Sequence, residues 1–178
     1  MASLSDNNWS LFLDRDGVIN KRIFDDYVKH PDDFIFLPGV LDAMQMVSEV
    51  FKFVFVVTNQ QGIGKGMMNE KDLGKVHDFM LGTVSKNGGR IDRIYFSPHL
   101  ERENHPSRKP NTGMALQAKE DYPEVDFSKS IMVGDMERDI EFGRKLGMMT
   151  VYIGEKKLFD NFEPDYRYDS LLSFAKTL

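Results

Sequence analysis

Short apolar runs alternate with helix-patterned stretches along this chain, and that alternation restricts the fold more than any other feature. The runs Trp9–Asp14 (WSLFLD), Lys52–Thr58 (KFVFVVT), Arg93–Ser97 (RIYFS), Ser130–Asp135 (SIMVGD) and Met149–Gly154 (MTVYIG) read as strands buried on both faces. Between them, Val40, Met44, Val47 and Phe51 fall on one helix face, as do Leu73, Val76, Met80 and Val84, with Asn69 placed to cap the second helix. Further helical patterns run from Thr112 to near Pro123, and from Glu137 to a C-cap at Gly147. Strands alternating with helices build βαβ units, so the expected class is α/β: a doubly wound, mostly parallel sheet with helices on both faces. No linker divides the chain, and residues 1–178 are expected to form a single domain. That length buries roughly 70% of the extended surface on folding.

Ligands of such a sheet bind beyond the carboxyl ends of its strands. Here those ends read Asp14-Arg15-Asp16-Gly17, Thr58-Asn59-Gln60-Gln61-Gly62 and Gly134-Asp135, and the third strand leads into the loop that carries Arg108 and Lys109. Carboxylates, hydroxyl and amide donors and a lysine converge on one edge, which suits a phosphate together with a cation. A net charge of -5 offers no basic footprint for nucleic acid. No apolar run is long enough to span a membrane, and MASLSDNNWS lacks a basic region followed by an apolar one, so a cytoplasmic domain is expected. The absence of cysteine excludes disulfides, thiol chemistry and thiolate metal sites.

An acidic pair before glycine is ordinary turn sequence, but Asp14 directly ends an apolar run. Asp14 and Asp16 are two residues apart, so in extended backbone their side chains share a side, where one can attack and the other transfer protons. Asp135 could complete an oxygen set for Mg2+. A carboxylate nucleophile facing a dianionic phosphate needs that cation, with Lys109 and the Thr58 hydroxyl as further donors. GIGKG (Gly62–Gly66) lacks P-loop spacing and is rejected as one. FDDYVKHPDDF (Phe24–Phe34) reads as a solvated connection, although Tyr27 lies close enough after the acidic pair to touch substrate. The methionines and Trp9 read as packing.

FLDRDGVIN, VVTNQQGIGKG, RKPNTGM and MVGDMERD together resemble, in order, the four signature motifs of the haloacid dehalogenase superfamily of phosphatases. The likeness spans Leu11 to Ile153 and is narrower still to the branch of D,D-heptose 1,7-bisphosphate and histidinol-phosphate phosphatases. It implies a Rossmann-like core without a large cap domain, acting on a small soluble phosphate ester, and a monomer is expected. By resemblance, Asp14 is the nucleophile and Asp16 the general acid and base. Mg2+ is held by Asp14, Asp135 and the main-chain carbonyl of Asp16. Thr58, the Asn59 backbone and Lys109 bind the transferring phosphoryl group. Arg108 recognises substrate, with Gln60, Gln61 and Tyr27 beside it. Asp139 either supports the metal shell or simply favours a helix N-terminus. Met136 stands where related heptose enzymes carry a basic residue. A heptose 1,7-bisphosphate is the expected substrate, and histidinol phosphate the alternative. A non-catalytic phosphate-binding domain would have no use for Asp16, while transfer to an acceptor other than water would use the same residues.

The same branch often holds a structural zinc before its arginine–lysine–proline motif, through three cysteines and one histidine. The corresponding positions here are Ser97, His99, His105 and Ser107. Serine hydroxyls are not usual zinc ligands. No structural zinc is expected: the loop should be held by its own hydrogen bonds and prolines and serve to deliver Arg108 and Lys109.

Overall fold

The computed structural model describes residues 8–154 and 163–178. Residues 1–7 of the N-terminal stretch examined for a leader lie outside that range. Strands β1 (Ser10–Leu13), β2 (Phe53–Asn59), β3 (Arg93–Ser97), β4 (Ser130–Gly134), β5 (Met149–Ile153) and β6 (Tyr166–Tyr168) form one sheet in the order β3-β2-β1-β4-β5-β6. Every pairing in it is parallel. The helices are α1 (Val40–Val50), α2 (Glu70–Lys86), α3 (Gly113–Asp121), α4 (Glu137–Lys145) and α5 (Leu171–Ala175).

The period-two geometry of strands explains why the apolar runs are continuous. Leu11 and Leu13 of β1 pack, with Val54, Val56, Ile131 and Val133, against α1, α2 and α5. Phe12 faces the other way, with Phe55, Val57 and Met132, against Met114, Ala115 and Ala118 of α3 and Phe142 of α4. Both faces are covered, so alternate residues have no solvent side to face. The Phe12 and Phe55 rings lie 5.1 Å apart, tilted, at the centre of the second layer.

Capping sets the helix ends as expected at two places. The Asn69 side chain accepts from the Asp72 amide, and Gly147 takes a φ of 71° just after α4. Trp9 packs against the first core, and Met44, Met80, Met114, Met132 and Met148 are buried. The sequence patterns missed two short elements: β6 and α5 are three and five residues long, below the length at which periodicity is legible. Both are held by tertiary contact, β6 through its ladder to β5 and α5 through Leu171, Phe174 and Ala175 in the core.

In this order the strand sequence reverses direction between β1 and β4, which opens the crevice in which doubly wound sheets bind ligands. Residues after β1 double back, with the Lys21 amide on the Ile35 carbonyl at 2.8 Å and the Leu37 amide on Ile19 at 3.0 Å.

Candidate active site

Asp14 follows the last β1 residue and is almost fully buried, its amide donating to the Val133 carbonyl of β4 at 2.9 Å. Lys109, also buried, puts its ammonium 2.9 Å from Asp14 Oδ1 and 2.7 Å from Asp139 Oδ1, and donates to the Val57 carbonyl at 2.7 Å. The lysine is held from behind by Asn59, whose side-chain amide exchanges two 3.0 Å hydrogen bonds with the Lys109 backbone. The next peptide, Lys109–Pro110, is cis. Asp139 does two jobs: one oxygen meets Lys109, and the other accepts from the Met136 amide at 3.1 Å, closing the first turn of α4. Burial raises the Asp14 carboxyl above the usual range, and the Asp139 charge adds to this while Lys109 opposes it.

Asp16 is treated in the opposite way. Burial alone would raise its proton affinity. The Arg15 guanidinium, together with hydrogen bonds from Asn20, Arg15 and Gln60, outweighs burial and holds the carboxyl below its ordinary value. Asn20 Nδ2 donates to Asp16 Oδ1 and Gln60 Nε2 to Asp16 Oδ2, both at 2.9 Å. Gln60 Nε2 also reaches Thr58 Oγ1 at 2.8 Å. Arg15 is itself fixed from the far side by His77 Nε2 of α2 at 3.2 Å. The two carboxylates of one loop are thus pushed apart in proton affinity, Asp14 upward and Asp16 downward. Of the groups around Asp14, it is Lys109 that most favours its ionised form.

The same strand ends offer a candidate cation site. Carboxylate oxygens of Asp14, Asp135 and Asp139 come within 4.8 Å of one another. Burial and the Asp14 charge push the Asp135 carboxyl up to about 7, against the pull of Arg22. Arg22 acts as a stand-in cation: its NH2 nitrogen lies 2.6 Å from Asp135 Oδ1, 2.6 Å from the Asp16 carbonyl and 3.7 Å from Asp14 Oδ2. The oxygens gathered around that positive charge are the three expected to hold Mg2+, and an all-oxygen set suits that ion. Gly17 permits this convergence. Its φ is 97°, and a β-carbon there would lie 2.0 Å from Asp135 Oδ2.

A HAD-hydrolase-like family model matches residues 106–173. A D-glycero-alpha-D-manno-heptose-1,7-bisphosphate 7-phosphatase of Burkholderia mallei is 39% identical over 153 residues, 82% of this chain and 79% of that protein. One from Campylobacter jejuni bearing the same name is 37% identical, with 94% and 95% covered. The chain belongs to this family of haloacid dehalogenase-like phosphatases. The crystal structure of D,D-heptose 1,7-bisphosphate phosphatase from B. bronchiseptica, complexed with magnesium and phosphate, superposes with a TM-score of 0.84 at 29% identity, covering 95% of this chain and 97% of that one.

In this phosphatase, Asp14, Asp16, Thr58, Asn59, Lys109 and Asp135 come together as their positions at strand ends suggested. Arg108, Gln61, Tyr27 and Asn59 line a cavity that opens onto Asp16. Gln60 does not face substrate, contrary to expectation. It is 1% exposed, and its amide is committed to Asp16 and Thr58, so it positions the acid from inside. Ser97, His99, His105 and Ser107 do meet: the two imidazoles stack with centroids 3.4 Å apart, His105 Nδ1 lies 2.8 Å from Ser107 Oγ, and that hydroxyl is 3.1 Å from Ser97 Oγ. Sequence reasoning missed Asn20, Arg22 and His77. None stands at the end of an apolar run, so nothing local marked them. No helix among the described residues is long and apolar enough to cross a membrane.

Proposed function

We propose that this phosphatase hydrolyses a phosphomonoester through an aspartyl phosphate on Asp14, with D-glycero-D-manno-heptose 1,7-bisphosphate as substrate. The observation that carries the reading is the buried Asp14–Lys109–Asp139 row beside a separately held Asp16. An Asp14 oxygen attacks phosphorus, and the leaving alkoxide departs with a proton from Asp16. Asp16 rests below the ordinary carboxylate range, and the arriving phosphate dianion raises its proton affinity by like-charge repulsion. Asp16 then takes a proton from water, which attacks the phosphorus of the intermediate and releases phosphate and Asp14. Lys109, the Thr58 hydroxyl and the Asn59 backbone N–H meet the charge on the transferring oxygens. Magnesium, when held by Asp14, Asp135 and the Asp16 carbonyl, supplies positive charge that offsets repulsion between nucleophile and phosphate.

The substrate follows from the names of the relatives and from Arg108, which supplies a planar cation at the cavity wall for a second anionic group. The loop from Ser97 to Ser107 takes no structural zinc in this reading. The hydrogen bonds that link Ser97, Ser107 and His105, with His99 stacked on His105, support this by doing the work of a metal clip.

The test compares wild type with Asp14→Asn on heptose bisphosphate and on histidinol phosphate. Wild type should turn over the bisphosphate with the higher kcat/KM, and the near-isosteric variant should fold but lose turnover by about 10³-fold or more. Full activity in Asp14→Asn would refute the covalent mechanism.

A further inference from the structure

Arg108 and Arg138 line the same two adjoining cavities. Arg138 occupies the first turn of α4, where a cation works against the helix dipole, so helix stability does not account for it. Its Nε is buried without a partner, and among the described residues the side chain makes no hydrogen bond or ion pair. The Arg108 side chain, on a residue only 6% exposed, makes a single hydrogen bond among the described residues, to the His99 carbonyl at 3.2 Å. Burial and the nearby Arg138 charge both depress the proton affinity of Arg108, outweighing the opposite pull of Glu101 and Tyr27. Guanidinium groups left so close and so poorly partnered call for an anion.

The two arginines form part of the walls of two adjoining cavities, and charge decides between these. On one side the wall carries Glu101 and Glu137, and the only other cation there is Lys109, already engaged by Asp14 and Asp139. On the other side the carboxylates are already paired, Asp16 with Arg15 at 3.0 Å and Asp26 with Lys29 at 2.9 Å, and Arg22, itself engaged by Asp135, adds to the positive wall. An anion therefore gains most on the Asp16 side, within one small molecule's reach of the acid.

We infer that Arg138 is a substrate-binding residue that forms with Arg108 a two-guanidinium clamp for a phosphate that is not transferred. The inference rests on the phosphatase reading above and makes the bisphosphate preference a property of this pair. Met136 brings no charge to the loop, and Arg138, two residues on, brings one. Two planar forks present parallel N–H donors to phosphate oxygens, a geometry that a single ammonium does not reproduce.

The test uses heptose 1,7-bisphosphate and heptose 7-phosphate, which share the transferring group and differ only in the second phosphate. Arg138→Ala should raise KM for the bisphosphate about tenfold or more, the loss of one charge-assisted contact, with kcat little changed. Its kcat/KM for the monophosphate should stay near wild type, and Arg138→Lys should recover only part of the loss. Equal losses on both substrates, or no loss on either, would overturn the clamp. A wild type that prefers the bisphosphate while Arg138→Ala does so equally overturns the clamp and leaves the function standing. A wild type indifferent to the second phosphate overturns the bisphosphate reading and the clamp with it. Thermal unfolding of both variants, expected to match wild type, separates these outcomes from misfolding.

Discussion

Arg22 shows how much a single side chain can settle. Its guanidinium spans carboxylates from two strand ends and the Asp16 carbonyl, in the position where a divalent ion would neutralise the same oxygens. The arginine and the metal are therefore competitors for one set of ligands. Charge-assisted hydrogen bonds are worth about 1.5–3 kcal/mol each, so removing them should strengthen Mg2+ binding by roughly tenfold. Calorimetric titration of Arg22→Met with Mg2+ checks this, and an unchanged affinity would show that the two cations do not compete. Asp139 illustrates the opposite economy, since one carboxylate both caps α4 and steadies Lys109.

At the scale of the element, the site depends on turns that leave the strand ends at close quarters. Gly17 and Gly147 both sit at positive φ, 97° and 71°, yet their surroundings differ. A β-carbon at Gly17 would collide with the Asp135 carboxylate, whereas one at Gly147 meets nothing within 4 Å. Gly147→Ala should therefore cost only the left-handed strain, about 1–2 kcal/mol, and keep its activity. Gly17→Ala carries the same strain and should also lose activity, because Asp135 must move. Urea denaturation and initial rates on both variants measure the two effects separately. An active Gly17→Ala would mean that the β1 turn has room the geometry denies it. The Ser97–Ser107 loop is a related case: Ser97, Ser107 and His105 are joined by hydrogen bonds, His99 stacks on His105, and the loop leads into Arg108 and Lys109.

For the whole molecule, one buried histidine couples the site to global stability. His77 packs from α2 against Arg15, and burial with the Arg15 charge pushes its imidazole down to about 3. In the unfolded chain the ring takes up its proton near 6.5. The folded pKa is depressed, so the stability contributed by neutral His77 is complete above about pH 6.5 and drains away as the pH falls toward 3. The slope approaches about 1.4 kcal/mol per pH unit within that window. His77→Gln keeps an acceptor for Arg15 but does not titrate. Urea midpoints followed from about pH 7 down to about pH 4 should fall more steeply for wild type than for this variant. Parallel curves would remove His77 as the cause.

The parts legible in the sequence are those whose signals are local. Continuous apolar runs imply strands covered on both faces, and residues at their carboxyl ends must lie along one edge. The placing of Asp14, Asp16, Thr58 and Asp135, and of Lys109 in the loop after β3, could therefore be read from the chain alone. The remainder depends on groups that meet only after folding. Arg22 finds Asp135 across 113 residues, Arg15 finds His77 across 62, and Arg108 meets Arg138 through packing of a loop on a helix start. Gln60 lies in a motif that the sequence displays, but whether its amide faced substrate or Asp16 depended on the side chains across the crevice. Strand β6 exists because β5 offers it an edge, since three residues carry no pattern of their own. Periodicity and strand ends are properties of neighbouring residues, whereas the partner of a buried charge is set by the packing that excludes water around it.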